Sequence, residues 1–337
     1  MKAIMIGNGF IGSAHRNAYS ILKEEGSDVE LVAICDIRPE KLEENNGAKT
    51  YTDVDTMLAN EKDADYVDIC LPTYLHAEYT VKCLEAGFNV MCEKPMALNR
   101  EEADRMLDAA KRTGKKLMIG HCCRFAQDMQ ILRKHIMNQT LGKPLSAFFT
   151  STGACPDWGF EDWFLSDERS GGSMLDLQAH NVDLINWYFG LPKSVSCVGK
   201  KYREGGGFDS ISSNLLYDDG FFVHSWCDWN VPGNKHLFRS MRVNFENGYI
   251  FNERGVRHEL VMVDTKGNVT DISNDIELPS KVTIRNEIEY FTNAIKTNQP
   301  VRMCLPEDSK KTVLVFKAQH ESAMNDGKVV YLSEEDC

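Results

Sequence analysis

The sequence predicts two domains: an α/β domain built on a doubly wound parallel sheet over residues 1–122, and an α+β domain with a large, mostly antiparallel open sheet over residues 123–337. Three observations predict this. Apolar strand-like runs alternate with helix-like stretches up to about residue 120, and a glycine-rich turn follows the first run. From about residue 144, strand-like runs are joined by hairpin turn signals instead. Short-linked alternation implies parallel strands with right-handed crossovers, whereas turn-linked strands pair antiparallel.

The elements of the first domain follow from its apolar periodicity and its turn residues. Asn99 followed by Glu102 is typical of a helix N-cap with its capping-box partner, and Gly114 is typical of the residue that ends such a helix. The pattern predicts strands at 2–6, 30–35, 66–71, 89–92 and 116–120, and helices near 11–25, 39–45, 53–60, 76–87 and 99–113.

Turn pairs divide the second domain into strands. Asp219-Gly220 and Asn247-Gly248 are hairpin signals, so the runs around them predict an antiparallel meander. Gly205-Gly206-Gly207 indicates a flexible surface loop. The predicted strands are 144–152, 194–201, 211–218, 220–228, 238–246, 248–253 and 259–264, and the predicted helices are 173–188, 281–297 and 306–325.

The glycine-rich turn after the first strand indicates a dinucleotide-binding (Rossmann) domain. Gly7 permits the tight strand-to-helix turn, Gly9 lets the backbone approach a pyrophosphate, and Gly12 lets helix and strand pack closely. The N-terminus of the following helix presents free N–H groups and the positive end of a dipole to the phosphates. An unliganded strand–turn–helix matches the same triplet, but the strand before it and the helix after it favour a nucleotide site.

Asp36 lies at the end of the second predicted strand, about twenty residues beyond Gly12, where an acid that binds the ribose is expected. A carboxylate there accepts hydrogen bonds from two ribose hydroxyls and repels a 2′-phosphate, which favours NAD over NADP. Arg38 has two interpretations: a guanidinium that takes such a phosphate, or a solvated loop arginine beside Pro39 and Glu40.

Two further segments end strands at the edge where doubly wound sheets bind their ligands. Thr73 and His76 follow the third strand and are placed to touch the dinucleotide, although His76 also suits the start of a helix. Glu93 and Lys94 follow the fourth strand, and Pro95 keeps Lys94 out of helical geometry. The Glu-Lys pair is equally consistent with a surface ion pair, and the residues alone leave both alternatives open.

The helix predicted over 173–188 carries a carboxylate and an imidazole. Asp176 and His180 are four residues apart, so on a helix they share one face. A carboxylate one turn away orients the imidazole and raises its proton affinity, which suits a general base near neutral pH. Two alternatives stay open: Ser173 and Asp176 form a capping box, or His180 is a core histidine. Asp183 is expected to face solvent.

Composition limits the partners and the compartment. With 50 acidic and 38 basic side chains the formal charge is −12, which argues against nucleic acid or an anionic membrane as the main partner. The first strand begins at Lys2 without a signal peptide, and no apolar run is long enough for a membrane helix, so a cytoplasmic protein is expected. The 11 cysteines show no zinc-type spacing, which predicts free thiols and no metal site.

Several motifs of the chain occur together in one known family. They are Gly7-x-Gly9-x-x-Gly12, Pro72 with His76, the run from Ala86 to Leu98 that contains Glu93-Lys94-Pro95, Arg124-Phe125, Gly171-Gly172 with Asp176, His180 and Asp183, and Glu287 with Phe291 and Ala294-Ile295. On these residues the chain resembles, over nearly its full length, the glucose–fructose oxidoreductase, inositol dehydrogenase and rhizopine-catabolism (Gfo/Idh/MocA) family of NAD(P)-dependent oxidoreductases. Glu-Lys-Pro combined with the later Asp-x-x-x-His is highly specific.

The resemblance implies that Lys94, Asp176 and His180 form the catalytic set. His180 would take the proton of a substrate hydroxyl as hydride leaves the same carbon, Lys94 would stabilise the negative charge developing on the oxygen, and Asp176 would order the other two. The implied cofactor contacts are Gly7, Gly9, Phe10, Ile11, Gly12, Asp36, Arg38, Pro72, Thr73, His76, Glu93 and Lys94, and the implied substrate contacts are His121, Arg124, Asp157 and Trp163.

The chain departs from the family pattern at two positions. Ser173 and Gln178 stand where glycine is common, and both are expected to alter the wall of the pocket, so the substrate cannot be carried over. Four tryptophans would suit stacking on a sugar ring, with core or interface positions as the alternative. They are Trp158, Trp163, Trp226 and Trp229.

The sequence therefore predicts an NAD-dependent dehydrogenase that oxidises a secondary alcohol of a cyclic polyol, sugar or glycoside, similar to inositol 2-dehydrogenases or sugar and glycoside 3-dehydrogenases. One alternative is a redox-neutral glycosidase or epimerase that retains NAD and oxidises its substrate transiently. Another is a non-catalytic NAD-binding protein, against which the intact catalytic set argues. Because an open sheet needs its exposed face covered, a homodimer or homotetramer is expected.

Overall fold

The computed structural model describes residues 1–231, 237–254 and 257–333 and divides the chain into two compact units. The first unit contains Met1–Phe125 together with two returning segments, Trp158–Glu161 and Pro279–Lys310. The second unit contains Ala126–Asp157, Asp162–Leu278 and the described chain from Lys311 onward. The predicted domains, 1–122 and 123–337, do not include these returning segments in the first unit.

The elements are as follows. The strands are β1 (Lys2–Ile6), β2 (Glu30–Cys35), β3 (Lys49–Tyr51), β4 (Tyr66–Ile69), β5 (Asn89–Glu93), β6 (Leu117–Gly120), β7 (Pro144–Thr152), β8 (Ser194–Lys200), β9 (Ser210–Leu216), β10 (Phe222–Asp228), β11 (Phe238–Phe245), β12 (Gly248–Arg254), β13 (Arg257–Asp264), β14 (Val269–Asp271) and β15 (Val330–Tyr331). The helices are α1 (Phe10–Glu24), α2 (Val54–Asn60), α3 (Thr73–Glu85), α4 (Arg100–Thr113), α5 (Gln127–Met137), α6 (Asp167–Ser170), α7 (Gly172–Leu175), α8 (Ala179–Phe189), α9 (Thr283–Lys296) and α10 (Pro306–Met324), with 3-10 turns at Pro39–Leu42, Cys122–Phe125, Phe160–Leu165 and Asp218–Gly220.

The first unit contains the predicted doubly wound sheet. Its six strands are all parallel in the order β3-β2-β1-β4-β5-β6, so the strand order reverses beside β1, which is where such sheets bind their ligands. The N-cap of α4 is confirmed, because Asn99 Oδ1 accepts the backbone N–H of Glu102 at 2.9 Å and Gly114 has φ +67°. The helix predicted over 39–45 is wrong: only a 3-10 turn forms there, and the three-residue β3 that follows is too short to leave a periodic pattern.

The second unit contains a nine-stranded sheet in the order β14-β13-β12-β11-β7-β10-β9-β8-β15. It is mostly antiparallel as predicted, but it is not a simple meander, because β7 lies between β11 and β10 and runs parallel to β10. The hairpin signals are confirmed. Asp219 and Gly220 both have positive φ between β9 and β10, and β11 turns into β12 at Asn247-Gly248. Strands β14 and β15 were not predicted because they are only three and two residues long.

Apolar packing fixes the parts that carry the candidate site. In the first unit α1 packs against α9, and their shared cluster includes Tyr66, Met91 and Phe291, with the rings of Tyr66 and Phe291 edge to face at 5.5 Å. In the second unit α8 packs on β7 and β10. None of the helices within the described ranges is long and apolar enough to cross a bilayer.

Candidate active site

The glycine-rich turn has the geometry that a dinucleotide site requires. Gly7 has φ +94°, and a Cβ there would overlap the carbonyl oxygen of Cys70 at the end of β4. A Cβ at Gly12 would overlap the carbonyl oxygen of Gly7. These two glycines are therefore required by the close approach of β1, β4 and α1 rather than by loop flexibility.

Gly9 is different, because the protein leaves space above it. A Cβ at this position would meet only Arg38 Nη2, at 3.6 Å, among the described atoms within 4 Å. Gly9 is also the N-cap of α1, where no side chain caps the helix and the first turn carries no acidic residue within the described chain. The N–H groups at this helix end can therefore donate hydrogen bonds to a phosphate, so the residues present fit the pyrophosphate of a dinucleotide.

Asp36 is buried directly after β2, and four N–H groups donate to its carboxylate. Its Oδ2 accepts the backbone N–H of Asn8 at 2.9 Å, its Oδ1 accepts the backbone N–H of Arg38 at 2.9 Å, and the two oxygens accept the Nε and Nη2 hydrogens of Arg38, each at 3.0 Å. Although burial raises the pKa of Asp36, these hydrogen bonds hold it below its ordinary value, so the group is a carboxylate at neutral pH. Arg38 is thus paired with Asp36, which corresponds to neither of its two predicted interpretations.

Two aromatic residues from the returning segment Trp158–Glu161 contact this region. Phe160 was not predicted as a site residue, and Trp158 was predicted to stack on a sugar ring or to lie in a core or interface, not to contact this turn. The ring of Phe160 lies 5.0 Å from the guanidinium carbon of Arg38, and Trp158 packs on Phe10 with ring centroids 4.9 Å apart. Because they are far from the glycine-rich turn in sequence, only the fold brings them together. Trp158 thus lies against the glycine-rich turn.

His76 joins two turns at the ligand edge of the sheet. Its buried ring has Nδ1 2.7 Å from the carbonyl oxygen of Pro95 and Nε2 2.8 Å from that of Leu71. Burial lowers the pKa of His76, and the two carbonyl contacts oppose that effect. Thr73 is the first residue of α3 and is buried, with Pro72 directly before it. This segment therefore starts a helix, as expected for His76, and also lies at the ligand edge of the sheet, as expected for Thr73 and His76.

Glu93 ends β5, and Lys94 follows it at the same edge of the sheet. Glu93 is buried, and its Oε2 accepts the backbone N–H of Lys94 at 3.0 Å. Gly120, its register partner on β6, leaves room for this carboxylate, because a Cβ there would lie 3.2 Å from Glu93 Oε1. Lys94 is half-buried. Of the two alternatives left open for this pair, the surface ion pair is wrong, because the Glu93 carboxylate is buried.

The helix predicted over 173–188 is broken in the structure. It consists of α7 and α8 separated by a turn at 176–178, where the backbone N–H of Gln178 reaches back to the carbonyl of Ser173 at 2.9 Å, a wider turn than an α-helix has. The capping box is also wrong. The N-cap of α7 is Gly171, and Ser173 Oγ donates to the carbonyls of Phe208 and Asp209.

Asp176 and His180 are distinguished by their exposure. From Gly172 to Ile185 every residue is buried except these two, which are partly exposed. Asp183, expected to face solvent, is fully buried. Gln178 is buried as well and donates to Ser225 Oγ on β10 at 3.1 Å, so it faces the sheet rather than a pocket wall. This segment therefore buries the side chains around Asp176 and His180 and leaves this carboxylate and this imidazole accessible.

Close glycine contacts hold this segment. A Cβ at Gly207 would lie 2.6 Å from the backbone nitrogen of Gly172, and a Cβ at Gly172 would lie 2.7 Å from the carbonyl oxygen of Phe208. Gly206 and Gly207 are buried, so the predicted flexible surface loop is wrong at these two positions. The glycines serve backbone-to-backbone packing beneath α7.

The four predicted substrate contacts have different surroundings. His121 is buried with Nε2 2.9 Å from Ser309 Oγ, and Arg124 is fully buried, 3.6 Å from Asp308. Asp157 is exposed. Trp163 is buried, and its ring stacks on that of its neighbour Phe164 with centroids 3.9 Å apart. Trp229 contacts the same Phe164 ring edge to face, with centroids 6.1 Å apart. Their roles in substrate binding stay predictions.

The parallel sheet, the glycine-rich turn and the buried carboxylate of Asp36 after β2 are the features of a dinucleotide-binding domain. Residues 1–121 match the model of the oxidoreductase family with an NAD-binding Rossmann fold (Gfo/Idh/MocA), and residues 129–251 match the C-terminal domain of the same family. The chain therefore belongs to the Gfo/Idh/MocA family of oxidoreductases.

Similar proteins include two curated dehydrogenases. D-glucoside 3-dehydrogenase of Escherichia coli (strain K12) is 35% identical over 213 residues, which cover 61% of this chain and 59% of that protein. Myo-inositol 2-dehydrogenase of Thermotoga maritima is 30% identical over 194 residues, covering 56% and 55%. The match thus spans less than two thirds of either relative. A levoglucosan dehydrogenase solved with NADH and levoglucosan has a TM-score of 0.87 at 21% identity over 99% and 100% of the two chains, which shows the shared fold.

Proposed function

We propose that this protein is an NAD-dependent dehydrogenase that transfers hydride between the nicotinamide and a secondary alcohol of a cyclic polyol, sugar or glycoside. The observation that carries the proposal is the exposure of Asp176 and His180 alone within a buried run, in a chain whose other unit presents Lys94 at the ligand edge of an NAD-binding sheet. Binding alone would not need an accessible carboxylate–imidazole pair.

We assign one role in the reaction to each of the side chains of Lys94, Asp176 and His180. NAD, when bound along the glycine-rich turn, supplies the acceptor for the hydride that leaves the carbinol carbon. His180 takes the hydroxyl proton as general base. Lys94 stabilises the negative charge that develops on the oxygen as the carbonyl forms. Asp176 orients the imidazole and offsets its positive charge.

Relatives support the substrate class. Two similar proteins are named for their action on a D-glucoside and on myo-inositol, both of which carry ring secondary alcohols. We include His121, Arg124, Asp157 and Trp163 in the proposal as residues near the substrate. Asp157 is the exposed member of this set, and we assign to it the acceptance of hydrogen bonds from substrate hydroxyls.

A substrate panel tests the proposal. The protein is mixed with NAD, and separately with NADP, and with a set of inositols, free sugars and glycosides, while the near-ultraviolet absorbance of NADH is followed. We expect an increase with one ring alcohol, larger with NAD. Consumption of a glycoside with no increase, together with a nucleotide released only on denaturation, would point to the redox-neutral alternative.

Asp36→Ala should reverse the cofactor preference. The change removes the carboxylate that would accept ribose hydroxyl bonds and frees Arg38, now paired with it at 3.0 Å, to meet a 2′-phosphate. We expect the ratio of NADH to NADPH affinity to fall about a hundredfold, since opposed like charges cost several kcal/mol. Fluorescence titration with the two reduced cofactors measures this. The double variant with Arg38→Ala is the control and should lose the gained NADPH affinity; an unchanged preference in Asp36→Ala would exclude the assigned role.

We propose that the open face of the nine-stranded sheet pairs with a second copy of the chain, and that the protein acts as a homodimer or homotetramer in the cytoplasm. Apolar side chains on this face are exposed, including Phe148, Phe222 and Trp226, and the rings of Phe148 and Phe222 meet edge to face at 6.1 Å. Such a patch on a sheet face marks an interaction surface.

Phe148→Asp should therefore dissociate the assembly. A buried unpaired carboxylate is strongly unfavourable, so we expect the dissociation constant to rise at least about a hundredfold. Light scattering at micromolar concentration measures the mass. Met137→Asp, at an exposed apolar position on α5, is the matched control and should leave the mass unchanged. A monomeric mass for the unaltered protein would contradict the proposal.

A further inference from the structure

A buried polar cluster lies behind the strand end that carries Lys94. His15 on α1 is fully buried, with Nδ1 2.9 Å from Oδ2 of Asp68 and Nε2 3.0 Å from Oε1 of Glu93. Tyr19 also donates to Oδ2 of Asp68 at 2.9 Å. The other oxygen of Glu93 accepts the backbone N–H of Lys94 at 3.0 Å. These hydrogen bonds connect the interior of the first unit to the backbone N–H of Lys94.

The geometry determines the charge of His15. Both ring nitrogens face carboxylate oxygens, whereas a neutral imidazole has one N–H and one lone pair, and the lone pair would be repelled. With Asp68 and Glu93 both ionised, the arrangement therefore requires an imidazolium. Burial lowers the pKa of His15, but the adjacent Asp68 carboxylate more than offsets this and holds it well above its ordinary value. One imidazolium is thus shared between Asp68 and Glu93.

Glu287 on α9 adds a third carboxyl group to this interior. It is fully buried, and neither of its oxygens has a hydrogen-bond partner among the described residues. Burial raises the pKa of Glu287 well above its ordinary value, the carboxylates of Glu93 and Asp68 raise it further, and His15 opposes them. An ionised carboxylate without a donor is strongly disfavoured there, so Glu287 carries a proton.

We propose that His15, Asp68 and Glu287 are positioning residues for Lys94. When Glu287 is protonated, the imidazolium of His15 donates to Asp68 and Glu93, and Glu93 stays fixed against the peptide nitrogen of Lys94. If Glu287 lost its proton, it would attract the same imidazolium and loosen Glu93. The inference rests on the proposed catalytic role of Lys94, and it gives Glu93 a task inside the domain rather than a contact with the cofactor.

The other charged and titratable groups around Glu287 do not compensate an ionised carboxylate. Those that face it or the adjacent carboxylates are His15 and Tyr19 from α1, Tyr66 and Asp68 from β4, Cys70 directly after β4, Cys92 and Glu93 from β5, and Cys122 and Cys123 from the 3-10 turn. Arg124 of that turn is 3.6 Å from Asp308, and Arg285 of α9 pairs with Glu25 and Glu289. A rise in pH therefore adds only negative charge to this interior.

Infrared difference spectroscopy tests the proton on Glu287 without any substrate. The spectrum of the unaltered protein minus that of Glu287→Gln should contain the carbonyl stretch of a protonated carboxyl group at neutral pH. Glu289→Gln is the matched control on the same helix, because Glu289 is partly exposed and paired with Arg285, and it should remove only carboxylate bands. A Glu287 difference spectrum without the protonated band would overturn the proposal.

Amide hydrogen exchange at Lys94 tests the positioning. We expect His15→Gln to lower the protection of this amide about tenfold, because Glu93 loses its charged donor. The same variant should lower kcat about tenfold or more while NADH still binds. As the pH rises and Glu287 ionises, the Lys94 amide of the unaltered protein should lose protection against exchange. The Glu287→Gln protein should not show this loss. Unchanged exchange in His15→Gln would overturn the proposal. If exchange changes as expected but Lys94→Ala keeps its activity, the positioning is correct and the dehydrogenase mechanism is wrong.

Discussion

Lys94→Ala should lower kcat by about 10²- to 10³-fold. A fixed donor or cation at the oxygen where negative charge develops contributes about 3–4 kcal/mol to the transition state, and alanine cannot replace it. NADH should still bind, because the glycine-rich turn and Asp36 are untouched. Steady-state kinetics with the substrate found in the panel, together with NADH fluorescence titration, measure the two effects separately.

Lys82→Ala is the matched control for this change. Lys82 is also in the first unit, but it pairs with Asp55 on the surface, so kcat should stay within about twofold. A Lys94→Ala protein with the kcat of the control would contradict the assigned role. Lost NADH binding without a kcat effect would reduce Lys94 to a cofactor contact.

Gly9→Ala and Gly12→Ala should fail in different ways. A Cβ at Gly12 would overlap the carbonyl oxygen of Gly7, so we expect a loss of at least about 1–3 kcal/mol in unfolding free energy. A Cβ at Gly9 meets only Arg38 Nη2, at 3.6 Å, among described atoms, so stability should change by less than about 0.5 kcal/mol. Yet this Cβ would occupy the approach of the pyrophosphate, and NADH affinity should fall about tenfold or more.

Thermal or denaturant unfolding and NADH titration of both variants distinguish these outcomes. Each variant serves as the other's control, since they differ only in what the added methyl group meets. Full NADH affinity in a stable Gly9→Ala protein would show that the space above Gly9 is not the cofactor's. Normal stability of Gly12→Ala would show that the turn can relax.

Much of the fold could be predicted because local patterns determined it. The alternation of β1 to β6 with helices, the cap at Asn99 and the turn at Asp219-Gly220 depend on neighbouring residues only. The errors occur where the determining contact is distant. Strand β7 lies between β11 and β10, and no local signal gives that order.

The same reasoning applies to the site. The glycine-rich turn and Asp36 are found from spacing, because one βαβ unit holds them. The helix around Asp176 is broken at 176–178, and at its start Gly172 packs against Gly207, a contact between segments far apart in sequence. The burial of the Glu93 side chain depends on its contact with His15, and the protonation of Glu287 depends on both of these residues. Such clusters are assembled by tertiary packing, so a single sequence read along its length does not reveal them.

The most direct measurement of the central claim is the stoichiometry of NADH formed to substrate consumed over many turnovers. The account predicts one NADH released for each ring alcohol converted to a ketone, with the yield abolished in Lys94→Ala. Substrate consumption with no net NADH would contradict it, because the hydride would then be returned to the substrate in every cycle.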